Sequence, residues 1–444
     1  MGSSDLLNDP EAMYSALWVA VGVMLLFVAR RTYGALFEGD LAGVVMVTQL
    51  FITGIGIVLL ATWEPVDLRR ISLPLVVWTV WTLLAVAFYN FLLLPPDFFG
   101  SDVSLFESYA AHLVTQGEHP MAHSMLDARE VWPISNASAN ITATTTGGVV
   151  SQYSYPGGTL WSSTLEAALT PYNRLGIATV LASTTFLAWL LARVDVGLEP
   201  LVLLVWMVPI VRPVSASLGM ITPLWLFPLA VGLAAWYDGR LDAAALALGV
   251  AVASKQLAWP IAGLVAVHVL RTRSPRTGGR FLALAGAATA VLVAPFALWN
   301  PQAWATSALF PFLPIGDPLV AQGVGLTSLT VSGVFEVPRT FHRVLVVGMG
   351  AALIGATWRW PDRMRWVIPF ATILTMLVHY RTLPSYYAAT VPLAVVALDA
   401  RFRGREETPR PTLFFDRLIK RVQIAGDAVP EDSKFAEAYR RGRK

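Results

Sequence analysis

Residues 41–62, LAGVVMVTQLFITGIGIVLLAT, carry no charged side chain. Wound into a helix rising about 1.5 Å per residue, the stretch is roughly as long as the 30 Å hydrocarbon core of a bilayer is thick. Lipid offers no water to bond the backbone, so such a run must satisfy its own amides, and a helix does this within one segment. Runs of the same kind recur outward from it, predicted at 13–29, 71–94, 175–192, 198–211, 215–236, 241–254, 257–270, 281–298, 341–357, 366–380 and 385–399. Composition agrees, with 55% hydrophobic and 14% charged residues over 444 positions, against roughly 25% charged in a soluble domain. The expected fold is an all-α polytopic integral membrane protein of about twelve transmembrane helices.

Charge sets the expected topology. Arg69-Arg70, Arg240, Arg271 to Arg280, Arg359 to Arg365 and Arg401 to Arg405 fall on one side if twelve spans alternate, and that side is cytoplasmic by the positive-inside rule. Arg30 and Arg31 alone argue the reverse for the first helix. Asp5, Asp9 and Glu11 stand where a signal peptide would be basic, so the first helix is expected to be retained. Both termini are then cytoplasmic, in a plasma membrane. Three regions follow: residues 1–70 as an N-terminal helix pair, 71–400 as the core, and 401–444 as a tail with twelve Lys or Arg against seven Asp or Glu. A net charge of +3 lodged in short loops and this tail reads as topology and membrane-lipid attraction rather than nucleic-acid binding. With no cysteine there is no disulfide, thiolate metal site or cysteine nucleophile.

The extracytoplasmic loops are expected at 95–174 and 299–340, and the first holds most of the possible chemistry. Phe106, Tyr109, Ala110 and Leu113 recur at helical spacing after Asp102, Ser104…Glu107 can form a capping box, and Gly117 can stop the helix. The spacing predicts an amphipathic helix on the membrane surface, with Glu107, Ser108 and His112 on its polar face. Asp102 near its N-terminus is either a cap or a functional carboxylate stabilised by the helix dipole. Residues 159–170 are apolar but too short to span, and read as a second interfacial helix. The triplets at Asn136 and Asn140 fit glycan acceptors in form. Lys255 interrupts the apolar run from Leu241 to Leu270, and a membrane-embedded ammonium either wants an anion or snorkels to the interface. His379-Tyr-Arg381 and Pro384-Ser-Tyr-Tyr387 end the eleventh span on the same outer side, where Arg381 can clamp phosphate or belong to an ordinary interfacial belt.

As an ordered set, Gly100-Ser-Asp102, Tyr109-Ala-Ala-His-Leu113, Gly117-Glu-His-Pro120, Tyr155-Pro156, Arg174 and Ser254-Lys255-Gln256 resemble the glycosyltransferase C superfamily of polyprenyl-phosphate-sugar-dependent enzymes, in particular its family 87-like members. The resemblance covers roughly residues 71 to 400. It departs from the pattern at Gly157, where a second proline is usual, and in placing the early acidic loop after the third span. It implies transfer of a sugar from a polyprenyl- or dolichyl-phosphate donor to a glycan, glycolipid or protein acceptor, with inversion at the anomeric carbon. By the same resemblance Asp102 is the general base or a ligand to a divalent cation (Mg or Mn). Lys255, Arg381, His379 and Tyr387 would bind the donor phosphate, supported by Glu107, His112, His119, Tyr155 and Arg174. Two rivals stay open: a transporter or flippase of lipid-linked sugars, which would want mid-membrane polar faces and repeat symmetry, and a catalytically silent scaffold of the same fold.

Overall fold

A computed structural model describes residues 10–36, 41–63, 67–93, 101–132, 141–144, 148–169, 177–194, 198–211, 222–309, 323–383, 386–387 and 390–403. Gly100, Asn136, Asn140, Arg174 and the tail beyond residue 403 lie outside these. Three helices open the chain: α1 (Pro10–Leu36), α2 (Leu41–Thr62) and α3 (Leu68–Leu93). The segment after α3 contributes α4 (Asp102–Thr115) and α5 (Leu160–Leu169). Then come α6 (Ile177–Arg193), α7 (Glu199–Val211), α8 (Thr222–Tyr237), α9 (Leu241–Ser254), α10 (Trp259–Thr272) and α11 (Pro275–Trp299). Last are α12 (Pro301–Ala308), α13 (Arg339–Arg359), α14 (Ala371–Val378) and α15 (Val391–Arg403). Among the described residues the only β pairing is an isolated bridge between Ala143 and Val149.

Five of these helices are long and apolar enough to cross a membrane, in α1, α2, α3, α11 and α13. Their outward faces carry large apolar side chains in the open, such as Leu59 at 61%, Val291 at 70% and Val347 at 71% exposure. Water would penalise that surface, whereas lipid solvates it. The chain is a membrane protein. The other seven predicted spans each meet a helix, but these run 8 to 17 residues, short of a full crossing. In place of the first turn of the span predicted at 366–380, a 3-10 turn at Ile368–Phe370 precedes α14.

Without a hydrophobic drive between helices in lipid, close backbone approach supplies the packing. Gly22 of α1 and Gly54 of α2 face each other so tightly that a Cβ on either would lie 2.7–2.8 Å from the other's carbonyl oxygen. The large membrane core joins α1–α3 with α6–α11 and α13–α15. At one end of the bundle Arg193 of α6 bonds Asp238, just past α8, at 2.9 Å and the buried Asp399 of α15 at 3.0 Å. Arg365 and Tyr237 exchange side-chain to backbone hydrogen bonds of 3.0 and 2.8 Å, and Arg271 donates to the Trp358 carbonyl. Several of the basic turns read as cytoplasmic therefore gather at a common end.

The described part of the segment between α3 and α6 is a folded cap with its own core. Leu105, Phe106, Tyr109 and Leu113 of α4 pack on Met121, Met125, Val150, Tyr153 and Leu160, and Phe296 of α11 anchors them to the bundle. This corrects two expectations. Ser101, not Ser104 with Glu107, caps α4, its hydroxyl accepting from the Ser104 amide at 3.3 Å. The predicted polar face is not a free surface either, since Glu107 and Ser108 are buried, Glu107 against Tyr153 and Ser163 of α5.

Candidate functional site

The Tyr155-Pro156 element reaches its place by a backbone that only glycine permits. Gly157 has φ +113, and a Cβ there would come within 2.8 Å of the Phe296 ring. Proline holds φ near −65°, so a proline at position 157 could not take this conformation. Gly158 then donates its amide to the Ala253 carbonyl at 2.9 Å, with no room for a side chain against that backbone. Trp304 Nε1 donates to the Pro156 carbonyl at 2.9 Å. Gln256 Nε2 lies 2.6 Å from the Ser154 carbonyl and 2.7 Å from that of Ala308, donating to both. The loop is thus fastened to the C-terminal end of α9, beside Lys255.

Lys255 leaves the helix in an extended conformation, φ −157 and ψ 140, in the turn between α9 and α10. Only 6% of it is exposed. Its ammonium lies 5.0 Å from the Tyr155 ring centroid, 5.7 Å from that of Tyr386 and 5.8 Å from that of Trp225. Among the described residues no carboxylate comes within ion-pair distance of it. Burial pushes it down to about 8, with Asp102 and Glu107 pulling the other way. Three electron-rich faces hold the cation while leaving it no fixed anion.

A cavity of about 330 Å³ opens in front of this ammonium. Asp102, Lys255, His379, Arg381 and Tyr155 all line it, together with apolar groups such as Phe106, Trp225, Leu257 and Met376. Asp102 occupies the first turn of α4, and its Oδ2 accepts from the Thr142 amide at 3.2 Å. Also on the cavity wall, the chain leaves α14 through His379, whose Nδ1 accepts the Arg381 amide at 2.9 Å and whose ring stacks on Tyr380 at 4.6 Å. The geometry therefore brings one carboxylate and two cations from three distant parts of the sequence to one chamber.

Other candidates fall elsewhere. Tyr387 does not line the cavity and accepts a 3.5 Å bond from Thr382, while its neighbour Tyr386 does line it. Position 386 rather than 387 is the cavity tyrosine, because the turn after α14 brings that ring toward Lys255. His112 stacks with Tyr109 and meets Trp132 edge-on, away from the cavity. His119 bonds the Phe296 carbonyl through Nε2 at 3.0 Å and packs on Trp299, a fastening between loop and α11. Glu107 lies behind the cavity wall, fully buried. Trp225, Thr142 and Thr375 line the cavity without having stood out in the sequence, since nothing in their spacing marks them.

The fit for a divalent cation is poor. No three His, Cys, Asp or Glu side chains cluster as a metal set among the described residues, and Asp102 meets the cavity as a single carboxylate facing cations. Hard divalent ions want several oxygen ligands, and among the described residues Asp102 is the one carboxylate lining the cavity. Comparison with family models, curated proteins and solved structures finds no match to this chain.

Proposed function

We propose that this protein is a membrane glycosyltransferase that moves a sugar from a polyprenyl- or dolichyl-phosphate donor to a glycan, glycolipid or protein acceptor on the extracytoplasmic face. The observation that carries the reading is the meeting of Asp102, Lys255 and Arg381 on one chamber with apolar walls. A lipid-phosphate sugar brings its own leaving group, so the enzyme needs a base for the acceptor and cations for the departing phosphate. Asp102 takes the proton of the acceptor hydroxyl as that oxygen forms its bond to the anomeric carbon. The carbon–oxygen bond to phosphate breaks on the opposite face, inverting the centre, and the released phosphate is met by the ammonium of Lys255 and the guanidinium of Arg381. Twelve spans, both termini in the cytoplasm and a plasma-membrane location belong to the same proposal.

The test is transfer in vitro from defined polyprenyl-phosphate sugars, comparing wild type with Asp102→Asn. General-base removal is expected to lower kcat by roughly 10²- to 10⁴-fold, with donor KM little changed. Unaltered turnover in Asp102→Asn removes the base from the mechanism. Movement of a labelled lipid-linked sugar between vesicle leaflets, with no transfer to any acceptor, would favour a flippase instead.

A further inference from the structure

The carboxylate of Glu107 is the most buried ionisable group in the outer cap, with none of its surface exposed, and the proposed chemistry leaves it unused. Both of its oxygens are engaged. The Tyr153 hydroxyl donates to Oε2 at 2.7 Å and the Ser163 hydroxyl to Oε1 at 2.9 Å. These partners come from the loop before Tyr155 and from α5, so one side chain of α4 ties together three pieces of the cap. Tyr153 in turn meets Tyr155 edge to face, with centroids 5.3 Å apart and planes at 88°. Tyr155 is the ring closest to the Lys255 ammonium, at 5.0 Å. A continuous run of contacts therefore leads from a buried carboxylate to the cation at the cavity.

We infer that Glu107 is a positioning residue for the phosphate-binding side of the cavity: it holds Tyr153, and through it the ring of Tyr155, so that Lys255 is kept facing the chamber. The inference rests on the donor-binding role proposed above for Lys255. Burying a carboxylate is costly, and here burial raises its affinity for a proton despite the bonds from Tyr153 and Ser163. The Ser163 hydroxyl lies 2.9 Å from Oε1 and 3.0 Å from the Thr159 carbonyl. It can donate to a carboxylate, or turn to Thr159 and accept from a carboxylic acid, so the arrangement survives either protonation state. Glutamine meets the same geometry, its oxygen accepting from Tyr153 and its amide donating to Ser163.

The experiment measures binding of farnesyl phosphate to the full-length protein in detergent, alongside donor KM and kcat in the transfer assay. Glu107→Ala and Tyr153→Phe are expected to raise the farnesyl phosphate Kd and the donor KM about tenfold, with kcat changed less than threefold. Glu107→Gln is expected to stay within threefold of wild type in all three. Tyr153→Phe removes a single hydroxyl and carries the test alone if Glu107→Ala does not fold. Wild-type affinity in Tyr153→Phe, or a loss in Glu107→Gln as large as in Glu107→Ala, overturns the inference. Failure of wild type to bind farnesyl phosphate more tightly than Lys255→Ala sinks instead the donor-site reading beneath it.

Discussion

Replacing Lys255 by methionine is expected to make the protein more stable while abolishing its grip on the donor phosphate. The ammonium is 6% exposed, and burial takes it from the ordinary 10.5 down to about 8. Each unit of such a shift corresponds to about 1.4 kcal/mol, so keeping this lysine charged at neutral pH costs the fold about 3 kcal/mol. The substitution also loses contacts of the cation with three rings, in part replaced by sulfur–aromatic contacts of about 0.3–1.5 kcal/mol each. A net gain on the order of 2 kcal/mol remains, or about 2 °C in Tm for a chain of 444 residues. The sign with pH follows from proton binding. Between about 8 and 10.5 the unfolded lysine still holds the proton that the folded one has released, so wild-type stability rises through that window. The advantage of Lys255→Met is therefore full below pH 8 and fades above it. Thermal unfolding of both proteins in the same detergent across pH 7 to 10 reads this directly. A variant less stable than wild type at pH 7, or an advantage that does not change with pH, refutes the account of a strained, functionally retained cation.

Other outcomes follow from the same geometry. If a charged Lys255 binds the phosphate, kcat/KM for the donor falls as pH rises through about 8, and Lys255→Arg moves that fall to higher pH; a flat alkaline limb in wild type contradicts it. Gly157→Ala forces a side chain into φ +113 and against Phe296, which is expected to cost about 1–3 kcal/mol and to weaken donor binding by displacing Tyr155, measured by thermal unfolding and KM. Arg193→Met takes from the fully buried Asp399 side chain its 3.0 Å ion pair, and is expected to cost about 3–5 kcal/mol without altering donor KM; Arg193→Met with Asp399→Leu recovers most of that loss.

Hydrophobic run length made the helices legible before any coordinates, because a lipid-solvated backbone has few options and the apolar stretch announces the helix. The helix expected at 241–254 matches α9 to the residue, and Lys255 stands out since a charge inside such a run is rare. The interfacial reading of α4 failed on Glu107 because a polar residue at helical spacing looks the same whether water or Tyr153 and Ser163 satisfy it. The difference lies in partners 46 and 56 residues away.

The sequence by itself determined that this is a helical membrane protein, and it singled out Asp102, Lys255 and Arg381 as side chains worth explaining, because composition and periodicity are local properties. Only the tertiary structure decided that these three line one chamber, that Tyr386 rather than Tyr387 faces it, and that Trp225 completes the cage around the lysine. Those facts depend on helix packing and on one left-handed glycine turn, which juxtapose residues more than a hundred positions apart, and no local pattern encodes which distant surfaces will meet.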